Sequence, residues 1–267
     1  MRLAVSPCPN DTFVFHAWAH GLIPGAPPVD VTFADIDVTN TAAERGEYDV
    51  VKVSYAALPW LLGRYRLLPC GGAVGRGCGP LVLIRDALPD LDGRTVAVPS
   101  ERSTAYLLFR LWASGQRPRR IDVVPFAQIM PAVRDGQYDA GLVIHEARFT
   151  YPAYGLQALV DLGAWWEGDT GLPIPLGAIL ARRELDANAL TDTVRASVDY
   201  AWAHPEASRA YVADHADEMA PDVQQQHIAL YVNEFTRDLG EEGYAAAAAL
   251  LTRAYEEGLT PTDPVLR

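Results

Sequence analysis

RTVAVPSERSTAYLLFRLWASG, residues 94–115, passes from a β-branched run through a short polar turn into an apolar helical stretch. PSERSTA (99–105) ends the strand and opens the helix, with Ser103 or Thr104 placed to cap it. A helix that starts this way leaves backbone N–H groups and the positive end of its dipole at the turn, a seat for an anion. A plain N-cap is the alternative use of the same residues.

The strand–turn–helix pattern repeats on both sides. Before it lie RLAVS (2–6), VDVTFADI (29–36), DVVKVS (49–54) and GPLVLIR (79–85). After it lie IDVVPF (121–126), AGLVIH (140–145) and LQALVDL (156–162). Helical patterns separate them: TFVFHAWAHGL (12–22), TAAERGEYD (41–49) and AQIMPAVRDGQYD (127–139). Strands alternating with helices of this length predict βαβ units, a mostly parallel sheet and an α/β fold class. The strands form two similar series, split near DALPDLDGR (86–94), a stretch suited to a hinge. The expected organisation is residues 1–88 with 176–267 in lobe one, 89–175 in lobe two, and a substrate cleft between them. From about residue 183 the periodicity turns helical, through RRELD…ADHADEM (182–219), VQQQHIALYVNEFTRDL and the Ala245–Ala249 run. It predicts three or four amphipathic helices packed on a lobe.

Apolar residues make up 49% and charged residues 21% of the 267, the composition of a globular protein with a full core. The net charge of -12 excludes nucleic acid as a partner, because phosphate binding needs a basic stripe and RPRR (117–120) is too short to be one. The opening MRLAVSPCPND has no long apolar leader core, and no run is apolar enough to span a membrane. A cytoplasmic location with no membrane partner is expected. Cys8, Cys70 and Cys78 are dispersed and lack paired ligand spacing, which fits a reduced compartment.

In open α/β sheets ligands sit outside the carboxyl ends of the strands. Here those ends read SPCPND, DVTNT, KVS, GRGCGP, PSERSTA and HEARFTY, nearly all rich in hydroxyl, amide or charged side chains. In SPCPND the prolines stop the strand from continuing into a ladder or a helix. One of Asn10, Asp11 and Thr12 then caps the first helix, Asn10 and Asp11 face a ligand or the opposite lobe, and Cys8 is structural. Thr39 or Asn40 caps the next helix. Lys52, the only lysine in the chain, and Ser54 meet a ligand at a strand end; alternatively Lys52 pairs with Asp49 or Asp35.

GRGCGP (75–80) lets the backbone approach a ligand or turn sharply, but it lacks the spacing of a dinucleotide loop. Cys78 is either a nucleophile or a packed small hydrophobe. His145 follows an all-apolar strand; it suits a general base, against the alternative of a structural histidine, and Glu146 and Arg148 beside it are expected to position it or hold the hinge. His16 and His20 stand four apart without a third metal ligand, so a surface placement and no metal are expected. His204, His215 and His227 read as surface or satisfied core positions. Trp165 and Trp166 either pack the lobes or offer a flat face to a planar ligand.

Together SPCPNDTFVF, YDVVKVSYAAL, GRGCGPLVL, ERSTAYLLFRL, VIHEARFTY and TGLPIPLGAI resemble the 1,4-dihydroxy-6-naphthoate synthase family of the futalosine route to menaquinone. The similarity runs from residue 1 to about 182, and the helical tail agrees in kind. The resemblance implies a two-lobed type II periplasmic-binding-protein-like fold with a helical C-terminal region, used as a cytoplasmic enzyme. It implies conversion of cyclic dehypoxanthine futalosine to 1,4-dihydroxy-6-naphthoate with release of dihydroxyacetone, without metal or organic cofactor. The family's general base falls on His145. Its substrate-binding segments fall on Lys52, Val53 and Ser54 and on Ser103, Thr104 and Ala105, and Asn10, Asp11, Thr39 and Asn40 join them at the strand ends. The implied partner is a small carboxylated, sugar-derived aromatic precursor, and a homodimer is left open. A chorismate dehydratase-like sister enzyme and a non-catalytic solute-binding protein that takes a small anion are the alternatives.

Overall fold

The computed structural model describes residues 1–216 and 220–266. The chain divides into two units, Met1–Gly75 with Pro175–Arg267, and Arg76–Ile174. Residues 217–219, the end of the first stretch expected to be helical in the tail, lie outside the described residues.

The first unit opens with β1 (Arg2–Val5), α1 (Pro9–Ala19), β2 (Asp30–Phe33), α2 (Ile36–Arg45), β3 (Val50–Ser54), the short α3 (Leu58–Leu61) and β4 (Tyr65–Gly75). The second begins with β5 (Leu81–Ile84), β6 (Thr95–Val98), α4 (Thr104–Trp112), β7 (Arg120–Val123) and α5 (Phe126–Arg134). It continues through β8 (Ala140–Val143), the short α6 (Ala147–Thr150), β9 (Gln157–Asp161) and α7 (Leu162–Thr170). The chain returns along β10 (Ile174–Arg182) and ends in α8 (Ala187–Ala203), α9 (Arg209–His215), α10 (Pro221–Tyr231), α11 (Glu234–Arg237) and α12 (Gly240–Glu256). The tail thus holds five helices among the described residues, one more than the periodicity predicts. Pro205 and Pro221 divide it, each at the first position of a new helical segment.

Both units carry a five-stranded sheet, in the orders β2-β1-β3-β10-β4 and β7-β6-β8-β5-β9. In each, three strands run parallel: β2, β1 and β3 in the first, β7, β6 and β8 in the second. An antiparallel strand then joins the third, β10 beside β3 and β5 beside β8. The division falls at 75/76 and not at 88/89, because GPLVLIR is β5 and pairs with β8 and β9 of the second sheet.

The central strands β3, β6 and β8 are buried along their whole lengths, as strands covered on both faces must be. Leu3, Val5, Phe15, Trp18, Ile179 and Val194 anchor the core of the first unit. Leu83, Ile129, Val133 and Val143 anchor that of the second. Each such side chain contributes roughly 1.5–3 kcal/mol by leaving water.

Two helix starts differ from expectation. Pro9 is the first residue of α1, where its missing N–H would have no intrahelical partner in any case, and no side chain caps the helix. Pro9 therefore begins a helix instead of forbidding one. Thr12 Oγ1 turns back to donate to Cys8 O at 3.1 Å, and the Asp11 carboxylate accepts from Ser6 and Asn10 instead of from the first amides of the helix. Helix α2 begins after Asp35, so Thr39 and Asn40 lie inside it and do not cap it.

Candidate functional site

The parallel pairing of β1 with β3 brings their carboxyl ends together. The groups gathered there are polar and buried. Asp11, in the first turn of α1, accepts hydrogen bonds from Ser6 N at 3.1 Å, Ser6 Oγ at 2.6 Å and Asn10 Nδ2 at 2.8 Å. Lys52 Nζ donates to the same carboxylate. Lys52 is 4% exposed and Asp11 1%. An ammonium removed from water to this extent is costly unless it is paired, and Asp11 supplies the pair. The expected partners are engaged elsewhere: Asp49 accepts from Arg2 N at 2.7 Å, and Asp35 stands at the start of α2. Gly177 lies opposite Ser54 on β10. A Cβ at that position would come within 2.7 Å of Lys52 Cε, so the glycine leaves the space the lysine stem occupies.

Two residues beyond Lys52 along β3, Ser54 projects from the same face of the strand. Asn40 reaches it from α2, accepting from Ser54 N at 2.8 Å and donating to Ser54 Oγ at 3.2 Å. Asn40 thereby ties the helix to the strand end. Thr39 Oγ1 donates to Ile36 O at 3.1 Å, within its own helix. Val53 and Ala105 are buried apolar side chains and offer a ligand no side-chain hydrogen bond.

In the second unit the carboxyl ends of β6 and β8 lie at one edge of the sheet. After β6, Ser103 caps α4 and accepts from Tyr106 N at 3.1 Å, with Thr104 and Ala105 buried in the first turn. After β8 comes His145. Its φ of 52° is the only positive value at a non-glycine among the described residues. That conformation costs on the order of 1–3 kcal/mol and persists only where the surroundings over-determine it. The imidazole meets the Phe126 ring edge-on, with centroids 5.8 Å apart and planes at 87°.

Just beyond His145, Arg148 Nη1 donates to Gly79 O at 2.8 Å and Nη2 to Asp161 Oδ2 at 2.6 Å. The other Asp161 oxygen caps α7 through Gly163 N at 2.9 Å and Ala164 N at 3.1 Å. Gly79 packs backbone to backbone on Gly163: a Cβ on Gly79 would stand 2.3 Å from Gly163 Cα. GRGCGP is therefore a packing junction at this end of β5. Cys78 is buried within it, and burial pushes its thiol up to about 12, which takes it out of the range of a nucleophile at neutral pH.

The structure thus collects Asn10, Asp11, Asn40, Lys52 and Ser54 at one sheet edge, and Ser103, Thr104 and His145 at the corresponding edge of the other sheet. Ser6, Gly177, Phe126 and Asp161 belong to these sets without having been assigned a role there from sequence, and Arg148 joins them as a residue expected only to position the histidine or hold the hinge. His16 is buried, not on the surface, and its ring meets those of His20 at 4.4 Å and Tyr211 at 5.4 Å at tilted angles. Trp166 is fully buried and donates to Pro173 O at 3.0 Å, so it packs and offers no open face. Among the described residues no three His, Cys, Asp or Glu side chains converge as metal ligands. No helix among them is long and apolar enough to cross a membrane.

A family model described as menaquinone biosynthesis matches residues 1–256. A protein of Streptomyces coelicolor named 1,4-dihydroxy-6-naphthoate synthase is 69% identical, over 98% of this chain and 95% of its own. One of the same name from Thermus thermophilus is 48% identical, over 99% of this chain and 97% of its own. Among solved structures, protein AF1704 from Archaeoglobus fulgidus superimposes with a TM-score of 0.89 at 33% identity, covering 97% of each chain. The periplasmic aliphatic sulphonate binding protein SsuA from Escherichia coli gives 0.70 at 16% identity, over 100% of this chain and 95% of that one. This last likeness concerns the fold alone, which is periplasmic-binding-protein-like.

Proposed function

The chain belongs to the 1,4-dihydroxy-6-naphthoate synthase family of menaquinone biosynthesis, and from that premise we propose that it is the carbon–carbon lyase that converts cyclic dehypoxanthine futalosine to 1,4-dihydroxy-6-naphthoate and dihydroxyacetone. The observation that carries this reading is identity of 69% along nearly the whole chain with a relative of that name.

Cleaving a carbon–carbon bond in a ring that bears a polyol needs a base for a hydroxyl or C–H proton and donors for the oxyanion that develops. His145 is the base. Its half-buried left-handed turn after β8 presents an imidazole at the edge where α4 also begins. The positive end of α4, at Ser103, Thr104 and Ala105, receives negative charge on the substrate. Within the first unit, Asn40 holds Ser54 at the strand end and Asn10 is held by Asp11, so these residues shape the polar edge of that sheet. Lys52 is already engaged by Asp11, so its part is to fix that carboxylate, and with it Ser6 and Asn10. Val53 and Ala105 contribute through their backbone, and Thr39 through the α2 turn. The enzyme works in the cytoplasm, a reading supported by three cysteines, Cys8, Cys70 and Cys78, that are not joined in disulfides.

The test is incubation of purified protein with cyclic dehypoxanthine futalosine, and separately with chorismate, each followed by chromatography. Appearance of 1,4-dihydroxy-6-naphthoate from the first alone is the expected result. Consumption of chorismate instead would move the chain to the sister reaction, and binding without turnover of either would make it a solute-binding protein.

A further inference from the structure

We propose that Arg148 is a positioning residue that holds the His145 backbone in its left-handed conformation and so fixes the imidazole for proton transfer. The inference rests on His145 being the base. It starts from the strain. A histidine at φ 52° relaxes toward negative φ unless the residues after it are held.

Those residues are held at two points. Ala147 is fully buried in the core of the second unit. Arg148, next in the chain, bonds at both its backbone and its side chain: its N–H donates to His145 O at 3.4 Å, and its guanidinium spans Gly79 O and Asp161 Oδ2. The acceptors are themselves fixed. Gly79 is pressed against Gly163, and Asp161 is committed to the first amides of α7. A continuous set of bonds therefore runs from the start of α7, through Asp161 and Arg148, to the carbonyl of the strained histidine.

The chemistry of the fork matters here. Two donors diverging from one plane reach a carbonyl and a carboxylate at once, which a single ammonium on a flexible stem does not reproduce. The two side chains are 20% and 26% exposed, so water screens the pair less than it does an open surface pair. Phe126 limits the imidazole ring from its edge, and Arg148 sets where the backbone carries it.

The experiment measures kcat and KM for cyclic dehypoxanthine futalosine in Arg148→Ala, Arg148→Lys and Asp161→Asn, with folding checked by circular dichroism. The same Arg148→Ala change is also placed in a His145→Asn background, since asparagine tolerates positive φ but is no base. Arg148→Ala is expected to lower kcat on the order of 100-fold with KM within about twofold, the scale of a small misplacement of a reacting group. Arg148→Lys is expected not to restore it. In the His145→Asn background the second change is expected to cost nothing further, because the two act as a unit.

Normal kcat in folded Arg148→Ala, or a loss that multiplies in the His145→Asn background, would overturn the proposal. If Arg148→Ala does not fold, Asp161→Asn decides, since asparagine still caps α7 but leaves the guanidinium without its carboxylate. A normal kcat there has the same consequence, and a lowered kcat at unchanged KM supports the proposal. An inactive His145→Asn with a normal Arg148→Ala sinks this inference alone. A fully active His145→Asn sinks the base assignment and this inference together.

Discussion

Lys52 on β3 and Asp11 in the first turn of α1 form an ion pair with both side chains out of water, 5% and 1% exposed. Asp11 also collects Ser6 and Asn10, so one carboxylate fixes the whole turn between β1 and α1. The pair offsets its own desolvation only while both charges are present.

Replacing Lys52 with methionine should therefore destabilise the protein by about 3–5 kcal/mol, because it leaves Asp11 charged, buried and without its cation. Adding Asp11→Asn should return a large part of that loss. Urea unfolding of the two single variants and the double variant measures the coupling. Additive losses would show that the pair is not what holds the turn.

Asn40 satisfies the backbone N–H of Ser54, which is buried at a sheet edge where water does not replace the bond. Asn40→Ala should cost roughly 1–3 kcal/mol, the penalty of an unmet buried donor. Asn40→Asp keeps an acceptor for that N–H but puts a carboxylate without a cation at a fully buried position, so it should be the harsher change at neutral pH and should recover as the pH falls. The measurement is the denaturation midpoint of each.

His16 is held below its ordinary value of 6.5, first by burial and second by the neighbouring His20. Its folded form resists the proton, so the unfolded chain binds more protons once the pH drops below about 6.5. The contribution of His16 is whole above that pH and is lost as the pH falls through its depressed folded value. Unfolding free energy should decline on the acid side, and His16→Phe should flatten that decline. An unchanged slope would assign the acid sensitivity to other groups.

Burial pushes the Cys70 and Cys78 thiols up to about 12. At pH 8 a thiol reagent should label native protein at Cys8 alone, the one cysteine with partial exposure. All three should react after unfolding. Cys78→Ala should leave turnover within about twofold, since a thiol kept protonated in the folded state is a poor nucleophile. Fast labelling of Cys78 in the native state would contradict this.

Much of this arrangement is legible in the sequence because short apolar strands and capped helices are local events. RTVAVPSERSTAYLLF reads directly as β6, a hydroxyl cap at Ser103 or Thr104, which the structure settles as Ser103, and α4, and AGLVIHEARF places His145 at the end of β8. β4 is not legible: Pro69, Gly71 and Gly72 interrupt its pattern, and the strand exists because it lies beside β10 in the sheet. Nor does spacing show that Lys52 finds Asp11, since the two are 41 residues apart and meet only once β1 and β3 are paired. The signal was present in part. A lysine inside the fully buried run VVKVS demands an anion from another element, and SPCPND offered one. His145's left-handed turn carries no sequence mark, because it is imposed by Arg148 and Ala147 after it and by the strand before it.

The central claim is that carbon–carbon cleavage in this chain runs through His145. The most direct measurement is the yield of 1,4-dihydroxy-6-naphthoate and dihydroxyacetone from cyclic dehypoxanthine futalosine, compared between the native chain and folded His145→Asn. The account predicts equimolar products from the native chain, and from the variant a rate lower by about 10²–10⁴-fold, the usual scale for loss of a general base. Equal rates from the two proteins would contradict it.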